Sequence, residues 1–443
     1  PGRAVSEVAA FEEAPEGQSP SPPGGGGAGP GKPAGHRTSF GRAFLDAFVQ
    51  GHSAAVTFLA IVIALFIGAL LIAFSDPNVL PKFSYFFAAP GAGLSAAANS
   101  AGNAYYALFQ GAIVSPATIS SYLAGHASLS QVFYPISETI VAATPLILAG
   151  LAVTIAFRAG LFNIGGQGQI VTGGLLAGWV GFGLHLPLGI HVIVALVGGI
   201  VGGAIWGWVA GWLKARTGAH EVITTIMLNY IAIDLLDYLL HTPSFQRPGS
   251  TYSISPFIAG SAHLPALAGS SLRVNAGIFV ALLCALAVAW ILNRSTIGFE
   301  LKAVGLNPDA ARTAGMSVKR VTVVIMLISG ALAGLAGAVQ ILGTQFDLTP
   351  GLASQLGFTA ITVSLLGRLG PWGTVLAAFL FGALSAGGTV MQASTGTPVD
   401  VVTVIQAVIV MFIAAPPLVR AIFRLRGART GGEGQSLSGG WGS

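Results

Sequence analysis

Leu161-Phe-Asn-Ile-Gly-Gly-Gln-Gly-Gln-Ile-Val-Thr-Gly-Gly174 lies between two long apolar runs, yet it carries an Asn, two Gln and a Thr among glycines. Polar, glycine-rich backbone at membrane depth is tolerated only where protein or a water-filled cavity surrounds it. The stretch is therefore a candidate for the neighbourhood of a transported solute. The runs on either side decide the fold.

Those runs are continuous and about 20 residues long, the length of a membrane helix. A barrel would need alternating ten-residue strands instead. Spans are expected at about 53–74, 137–157, 167–184, 189–212, 221–241, 274–292, 321–342, 354–367, 371–392 and 401–420. This predicts an all-α polytopic membrane protein of about ten transmembrane helices. The eighth is short, either a half-helix or a re-entrant piece. Ala104 to Val114 is too short and mixed to span and is expected to be interfacial or re-entrant. Composition agrees: 8% of residues are charged and 53% hydrophobic, against about 25% charged in a soluble domain. A chain so poor in charge cannot coat a water-facing surface.

With ten spans and the N-terminus inside, 17 of the 20 Lys and Arg fall on the inner side, leaving only Lys82, Arg247 and Arg273 outside. This bias is the positive-inside signature and places both termini in the cytoplasm. The net charge of +5 is thus a topology signal and a contact with anionic lipid, with no nucleic-acid face. Residues 1–42 are rich in Pro, Gly, Ser and Glu and are expected to form a disordered tail. Lacking an h-region, that tail is not expected to be a signal peptide. Its Gly26, Gly31 and Lys32 imitate a Walker A loop, but Pro33 stands where a Ser or Thr must bind magnesium, and no strand precedes it. The membrane-embedded body is expected over 43–425, and 426–443 as a flexible tail. Cys284, the single cysteine, sits in an apolar run and reads as a small buried hydrophobe.

Gly199, Gly203, Gly207 and Gly211 repeat every four residues, as do Gly330 and Gly334, which predicts close helix–helix approach. Ionisable groups in the membrane zone are few. Glu221 suits a helix N-terminus, Glu138 and Asp237 fall near interfaces, and Asp234, about one turn deeper, is less easily explained. No proton relay or cation ladder emerges, which counts against an ion-coupled carrier. In Glu221-Val-Ile-Thr-Thr-Ile-Met-Leu-Asn-Tyr230, Thr224, Thr225 and Asn229 share one arc of the helix. Asn229 lies about 12 Å from the helix start. Its amide either bonds a neighbouring helix or lines a polar solute path. The loop 293–320 is soluble in character. Asn307 can cap a short helix, Pro308 suits its first position and Gly315 ends it. Ala310, Ala311 and Met316 would give that helix an exposed apolar face, a docking knob for a soluble partner.

Five stretches, in order, resemble the permease subunits of bacterial ABC importers, specifically the nucleoside and simple-sugar group served by basic-membrane-lipoprotein-type binding proteins. They are Thr144-Pro-Leu-Ile-Leu-Ala-Gly-Leu-Ala152, Leu161 to Gln169, Glu221 to Tyr230, Gly305-Leu-Asn-Pro-Asp-Ala-Ala-Arg-Thr-Ala-Gly-Met316, and Leu365-Leu-Gly-Arg-Leu-Gly-Pro-Trp-Gly373. The resemblance covers about 45–425. One departure stands out: Gln167 occupies a position where this family usually has Glu, so no role of that carboxylate carries over. The resemblance implies a type II-like importer fold, a second homologous permease subunit, and a cytoplasmic ABC ATPase that holds ATP and Mg and engages the 305–316 loop as a coupling helix. An extracytoplasmic solute-binding lipoprotein and a bacterial cytoplasmic-membrane location are also implied. No cofactor is expected in the chain itself. Leu437-Ser-Gly-Gly-Trp441 only echoes an ABC signature.

The resulting expectation is a non-catalytic permease subunit of an ATP-driven importer, carrying a neutral polar solute, first a nucleoside and second a simple sugar such as ribose. A stand-alone ion-coupled transporter is the alternative of another class. Asn163, Gln167, Gln169, Thr224, Thr225 and Asn229 are the candidate solute-path residues. Gly305, Asn307, Ala310, Ala311, Arg312 and Gly315 are the candidate coupling residues. Because Arg158 falls inside, Leu161–Gln169 is placed at the cytoplasmic end of its span, as an inner gate or helix-starting turn, and Asn229 becomes the better candidate for touching solute.

Overall fold

The computed structural model describes residues 53–84, 87–269, 271–353 and 356–415. The two terminal tails, with the Walker-like and signature-like stretches, lie outside the described residues. Besides the short helices Leu80–Phe83 and Pro116–Leu123, thirteen helices carry the fold among the described residues: α1 Ser53–Ser75, α2 Pro90–Ala112, α3 Leu129–Arg158, α4 Gly166–Gly183, α5 Ile190–Thr217, α6 Glu221–Leu240, α7 Gly277–Arg294, α8 Thr296–Leu306, α9 Pro308–Thr313, α10 Val318–Gln340, α11 Leu356–Leu366, α12 Pro371–Thr395 and α13 Asp400–Ala414. No strand occurs among the described residues. Seven of these helices (α1, α3, α5, α6, α7, α10 with its π-helical extension to Gln345, and α12) are long and apolar enough to cross a membrane. The shorter α11 and α13 are apolar as well.

The expected spacing of glycines becomes the tightest packing in the bundle. α5 runs antiparallel to α10, and Gly199, Gly203, Gly207 and Gly211 face Ala338, Gly334, Gly330 and Met326 in turn. A Cβ placed on Gly207 would lie 3.0 Å from the Gly330 Cα, and one on Gly334 would lie 2.7 Å from the Gly203 Cα. α4 closes the same seam: Gly173 meets Gly334, and Gly202 abuts the Thr172 carbonyl. In lipid there is no hydrophobic drive between helices, so backbone approach of this kind supplies the dispersion contacts that hold them.

α3 is the buried centre. Every residue from Ala143 to Ala156 is buried, against α12, α10, α11 and α7. Thr154 donates to the Gly150 carbonyl and shares hydrogen bonds with Ser364 (2.8 Å) and Thr374 (3.0 Å), so the hydroxyls that join α3, α11 and α12 are satisfied. At the lower end of α3, Arg158 Nε donates to the Leu369 carbonyl at 2.6 Å. That bond holds the α11–α12 turn, where Arg368 and Leu369 have φ of 54° and 53°. Two consecutive non-glycine residues in the left-handed region cost about 1–3 kcal/mol each, so the turn depends on such tethers.

One expectation changes. The segment around Ala104–Val114 is not a short piece but the C-terminal half of α2, a 23-residue helix. Ser100 bonds Asp76, just beyond the end of α1, and the last residue, Ala112, accepts from Thr139, about 15 Å into α3. Ser100 lies at the middle of α2, and Tyr105 beyond it donates to the Leu65 carbonyl, about 16 Å back along α1 from Asp76, so α2 runs antiparallel to α1 into the bundle. α11, the expected half-helix, has 11 residues and spans about 16 Å.

The side of the bundle where α3 begins is covered by the chain between α6 and α7, whose Arg273 bonds Ser137 and Glu138. Its backbone pairs with the segment after α10: Ser255 N with Leu348 O, Ile258 N with Phe346 O, and Leu264 N with Leu342 O. Arg247 locks it by an ion pair to Asp347 (2.8 Å) and by stacking 3.8 Å over the Phe257 ring.

Candidate functional site

The turn that precedes α4 folds around one side chain, Asn163. Its Nδ2 donates to Gln169 Oε1 (3.0 Å) and Ser329 Oγ (2.8 Å), while its Oδ1 accepts from Gly165 N–H (3.0 Å) and Gln169 Nε2 (3.2 Å). Ser329 Oγ in turn donates to the Ala152 carbonyl at 2.7 Å. Asn163, Gln169 and Ser329 are all buried to at least 99%. The reciprocal amide pair thus links the α4 turn to α10 and α3. No sequence signal announces Ser329, because its partner lies 166 residues away.

Asn229 joins the same region from α6. Its Oδ1 accepts from the Gly168 N–H at 2.8 Å, and its Nδ2 donates to the Ile164 carbonyl at 3.0 Å. Gly168 lies in the first turn of α4, where backbone N–H groups have no partner within the helix. Asn229 supplies one from a neighbouring helix. Of the two readings open for this amide, the structure takes the helix–helix hydrogen bond. Both polar groups of the Asn229 amide, which the sequence favoured as a solute contact, are thus engaged within the chain. Thr225 is also buried and bonds the Glu221 carbonyl; Thr224 is half-buried and bonds the His220 carbonyl.

The depth of this knot corrects the second expectation about it. Counting along the helices, Asn229 is about 12 Å from the start of α6, Ser329 about 16 Å from the start of α10, and Ala152 about 9 Å from the end of α3. The turn therefore lies well inside the bundle and not at its basic end. The reason is local. After α3 the chain reverses at Gly160 (φ 70°), which rests on Gly305, and residues 161–165 climb back along the helices before α4 begins.

Gln167 differs from its neighbours. It is half-buried, and its buried Oε1 has no hydrogen-bond partner among the described residues. It faces the start of α11: a Cβ on Gly357 would lie 2.7 Å from the Gln167 Cα. The N-termini of α4 and α11 thus meet inside the bundle, an arrangement of broken helices that recurs around solute sites in transporters.

The loop between α7 and α10 folds largely as its sequence predicts. Asn307 Oδ1 accepts from the Asp309 and Ala310 N–H groups at 3.0 Å each, Pro308 opens α9, and Gly315 leaves it with φ of 85°. Arg312 pairs with Asp309 at 2.9 Å on the exposed side. Gly305 packs against the backbone of Arg158 and Ala159, so the loop is seated on the end of α3. One feature is overturned. Ala311 is only 3% exposed and belongs to the chain's own core, and Met316, half-buried, packs beside it. The apolar side of α9 is turned inward because the Met316 N–H returns to the Ala311 carbonyl (3.0 Å) and folds the next residues beneath the helix. The surface left open comprises Asp309, Ala310, Arg312 and Thr313.

Residues 135–414 match the family described as branched-chain amino acid transport system / permease component. The chain is 41% identical to the guanosine ABC transporter permease protein NupP of Bacillus subtilis, over 71% of this chain and 92% of that protein. It is 36% identical to the glucose ABC transporter permease protein TsgB13 of Haloferax volcanii, over 63% of this chain and 76% of that one. It is also 36% identical to the nucleoside ABC transporter permease protein NupB of Lactococcus lactis, over 63% and 79%. No solved structure matches the chain.

Proposed function

The chain belongs to this family of ABC-transporter permeases, a multi-pass membrane protein without ATPase chemistry of its own, and from that premise we propose that its cargo is a nucleoside. The observation that carries the reading is the 41% identity over 92% of a permease named for guanosine. The few charges at membrane depth support a neutral cargo, and they count against an ion-coupled carrier, which relies on intramembrane ionisable groups. A simple sugar is the second reading, favoured by the likeness to the glucose permease.

In this proposal about ten helices cross a bacterial cytoplasmic membrane with both termini inside. The fold is of the type II-like importer kind, residues 43–425 form the permease body, and 1–42 and 426–443 are cytoplasmic tails. A homologous second permease completes the pore. A cytoplasmic ATPase, holding ATP and Mg, engages α9, and an extracytoplasmic lipoprotein delivers the solute. The structural positions refine the roles. Asp309, Ala310 and Arg312 meet the ATPase, Asn307 and Gly315 shape the helix, and Gly305 and Ala311 seat it. Asn163, Gln169, Thr225 and Asn229 form an internal brace near the crossing of α4 and α11. Gln167 remains the member of the original set with an unused acceptor.

The test is uptake of tritiated guanosine by the complete transporter in proteoliposomes, with ATP inside and nucleosides, ribose or glucose as competitors. ATP-dependent uptake displaced by nucleosides and not by sugars is the expected result. Displacement by a sugar alone moves the assignment to the second reading. Uptake by the purified chain alone on an ion gradient overturns the ABC mechanism.

A further inference from the structure

α6 is the most peripheral of the seven long helices, with the smallest share of its residues buried. It packs on α4 and α5 with one side. The other presents Ile223, Met227, Tyr230, Ile231, Asp234, Asp237 and Tyr238, all exposed. At 100° per residue these fall within an arc of about 120°, a single face. The face changes character along its length. Its half near Glu221 is apolar, with Ile223 and Met227. From Tyr230 onward it carries two tyrosines and two aspartates beside Ile231. Tyr230 and Tyr238 stand one turn to either side of Asp234 and are 61% and 68% exposed.

Asp234 lies about 20 Å along the helix from Glu221 and about 9 Å from Leu240, within the apolar zone. Asp237 has a neighbour in His241, 3.9 Å away. Asp234 has neither hydrogen bond nor ion pair among the described residues. A carboxylate facing hydrocarbon is strongly disfavoured, and intramembrane acids face a bundle interior or a water-filled cavity. Among the described residues nothing encloses Asp234, so an enclosing wall has to come from outside this chain.

Resting on the nucleoside reading, we propose that this face of α6 is the wall of a water-filled solute path closed on its other side by the second permease, and that Asp234 reads the solute there. A carboxylate accepts from two adjacent donors at once. A guanine edge, with its N1–H and N2–H, and a ribose 2′,3′-diol both present such a pair. Tyr230 and Tyr238 would offer ring faces on which a base stacks. Ile223 and Met227 form an apolar constriction beneath.

The chain has one cysteine, Cys284, so a Cys284→Ser background permits single-cysteine probing in the assembled transporter. A charged, membrane-impermeant methanethiosulfonate should modify Asp234→Cys and Tyr230→Cys and block uptake. Val197→Cys, on an exposed apolar site of α5 at similar depth, should not react. Equal reactivity at 234 and 197 overturns the proposal. So does an unreactive 234 whose substitution releases the second permease, because Asp234 would then be a subunit ion pair. Asp234→Asn should lower guanosine uptake at subsaturating concentration at least tenfold while the ATPase and second permease still copurify; unchanged uptake overturns the reading role. Competition by adenosine separates the base edge, and competition by 2′,3′-dideoxyguanosine the diol. If the unaltered transporter carries no nucleoside yet position 234 is still modified, the cargo assignment fails and the wall stands.

Discussion

Replacing Asn229 by leucine keeps the number and branching of side-chain heavy atoms but removes an acceptor from the Gly168 N–H and a donor from the Ile164 carbonyl. Both bonds are short, at 2.8 and 3.0 Å, and Asn229 is 5% exposed. Interhelical hydrogen bonds in membrane proteins average about 0.6 kcal/mol, so two give about 1.2 kcal/mol as a floor. Here the groups left behind are buried backbone, and an orphaned donor or acceptor costs about 1–3 kcal/mol. The first turn of α4 has no spare acceptor within its own helix. A loss of about 2–4 kcal/mol is therefore expected, between the floor and the full orphan penalty. The assay is denaturant titration of purified Asn229→Leu in mild detergent, paired with uptake kinetics in the complete transporter. Stability should fall by that amount, and maximal uptake should fall with the quantity of folded protein, while the solute concentration for half-maximal uptake stays put. A variant as stable as the parent but with a raised half-maximal concentration would refute the argument, because it would show Asn229 touching solute.

Other consequences are equally direct. Gly334→Val puts a branched side chain where even a Cβ lies 2.7 Å from the Gly203 Cα; overpacking of this kind costs about 1–3 kcal/mol or more, and the variant should accumulate poorly and melt early in detergent. Ala310→Asp and Ala311→Asp should separate two roles: the first alters the exposed side of α9 and should uncouple ATP hydrolysis from uptake in a well-folded protein. The second plants a charge at a 3% exposed site and should show up as raised protease sensitivity of the 295–320 loop. A double-mutant cycle on Arg247→Ala and Asp347→Ala should give a coupling of about 1 kcal/mol in detergent denaturation, modest because both side chains stay partly exposed; no coupling would remove the pair as a lock on the α6–α7 segment.

The sequence by itself determined the class, the helices and the close-packed seam. Unbroken apolar runs fix membrane helices because backbone groups in lipid must bond internally, and glycines four apart mark a groove whatever lies in it. Asn307, Pro308 and Gly315 were legible because capping is local: each acts within a turn of its own position. The family followed from five short stretches in order. Tertiary structure alone decided what the polar residues do. Asn229 has the same composition and depth whether it braces α4 or meets solute, and only the positions of Ile164 and Gly168 distinguish the two. Ala311 reads as exposed until the return of the chain at Met316 covers it. Leu161–Gln169 reads as the edge of a span until the reversal at Gly160 carries it inward. In each case the deciding partner is set by packing and not by the residue's own stretch, and hydropathy along a chain carries no record of which faces meet. The exposed acid on α6 is the converse: Asp234 was visible from the start, but that it has no partner among the described residues emerged only once the neighbouring helices had been placed.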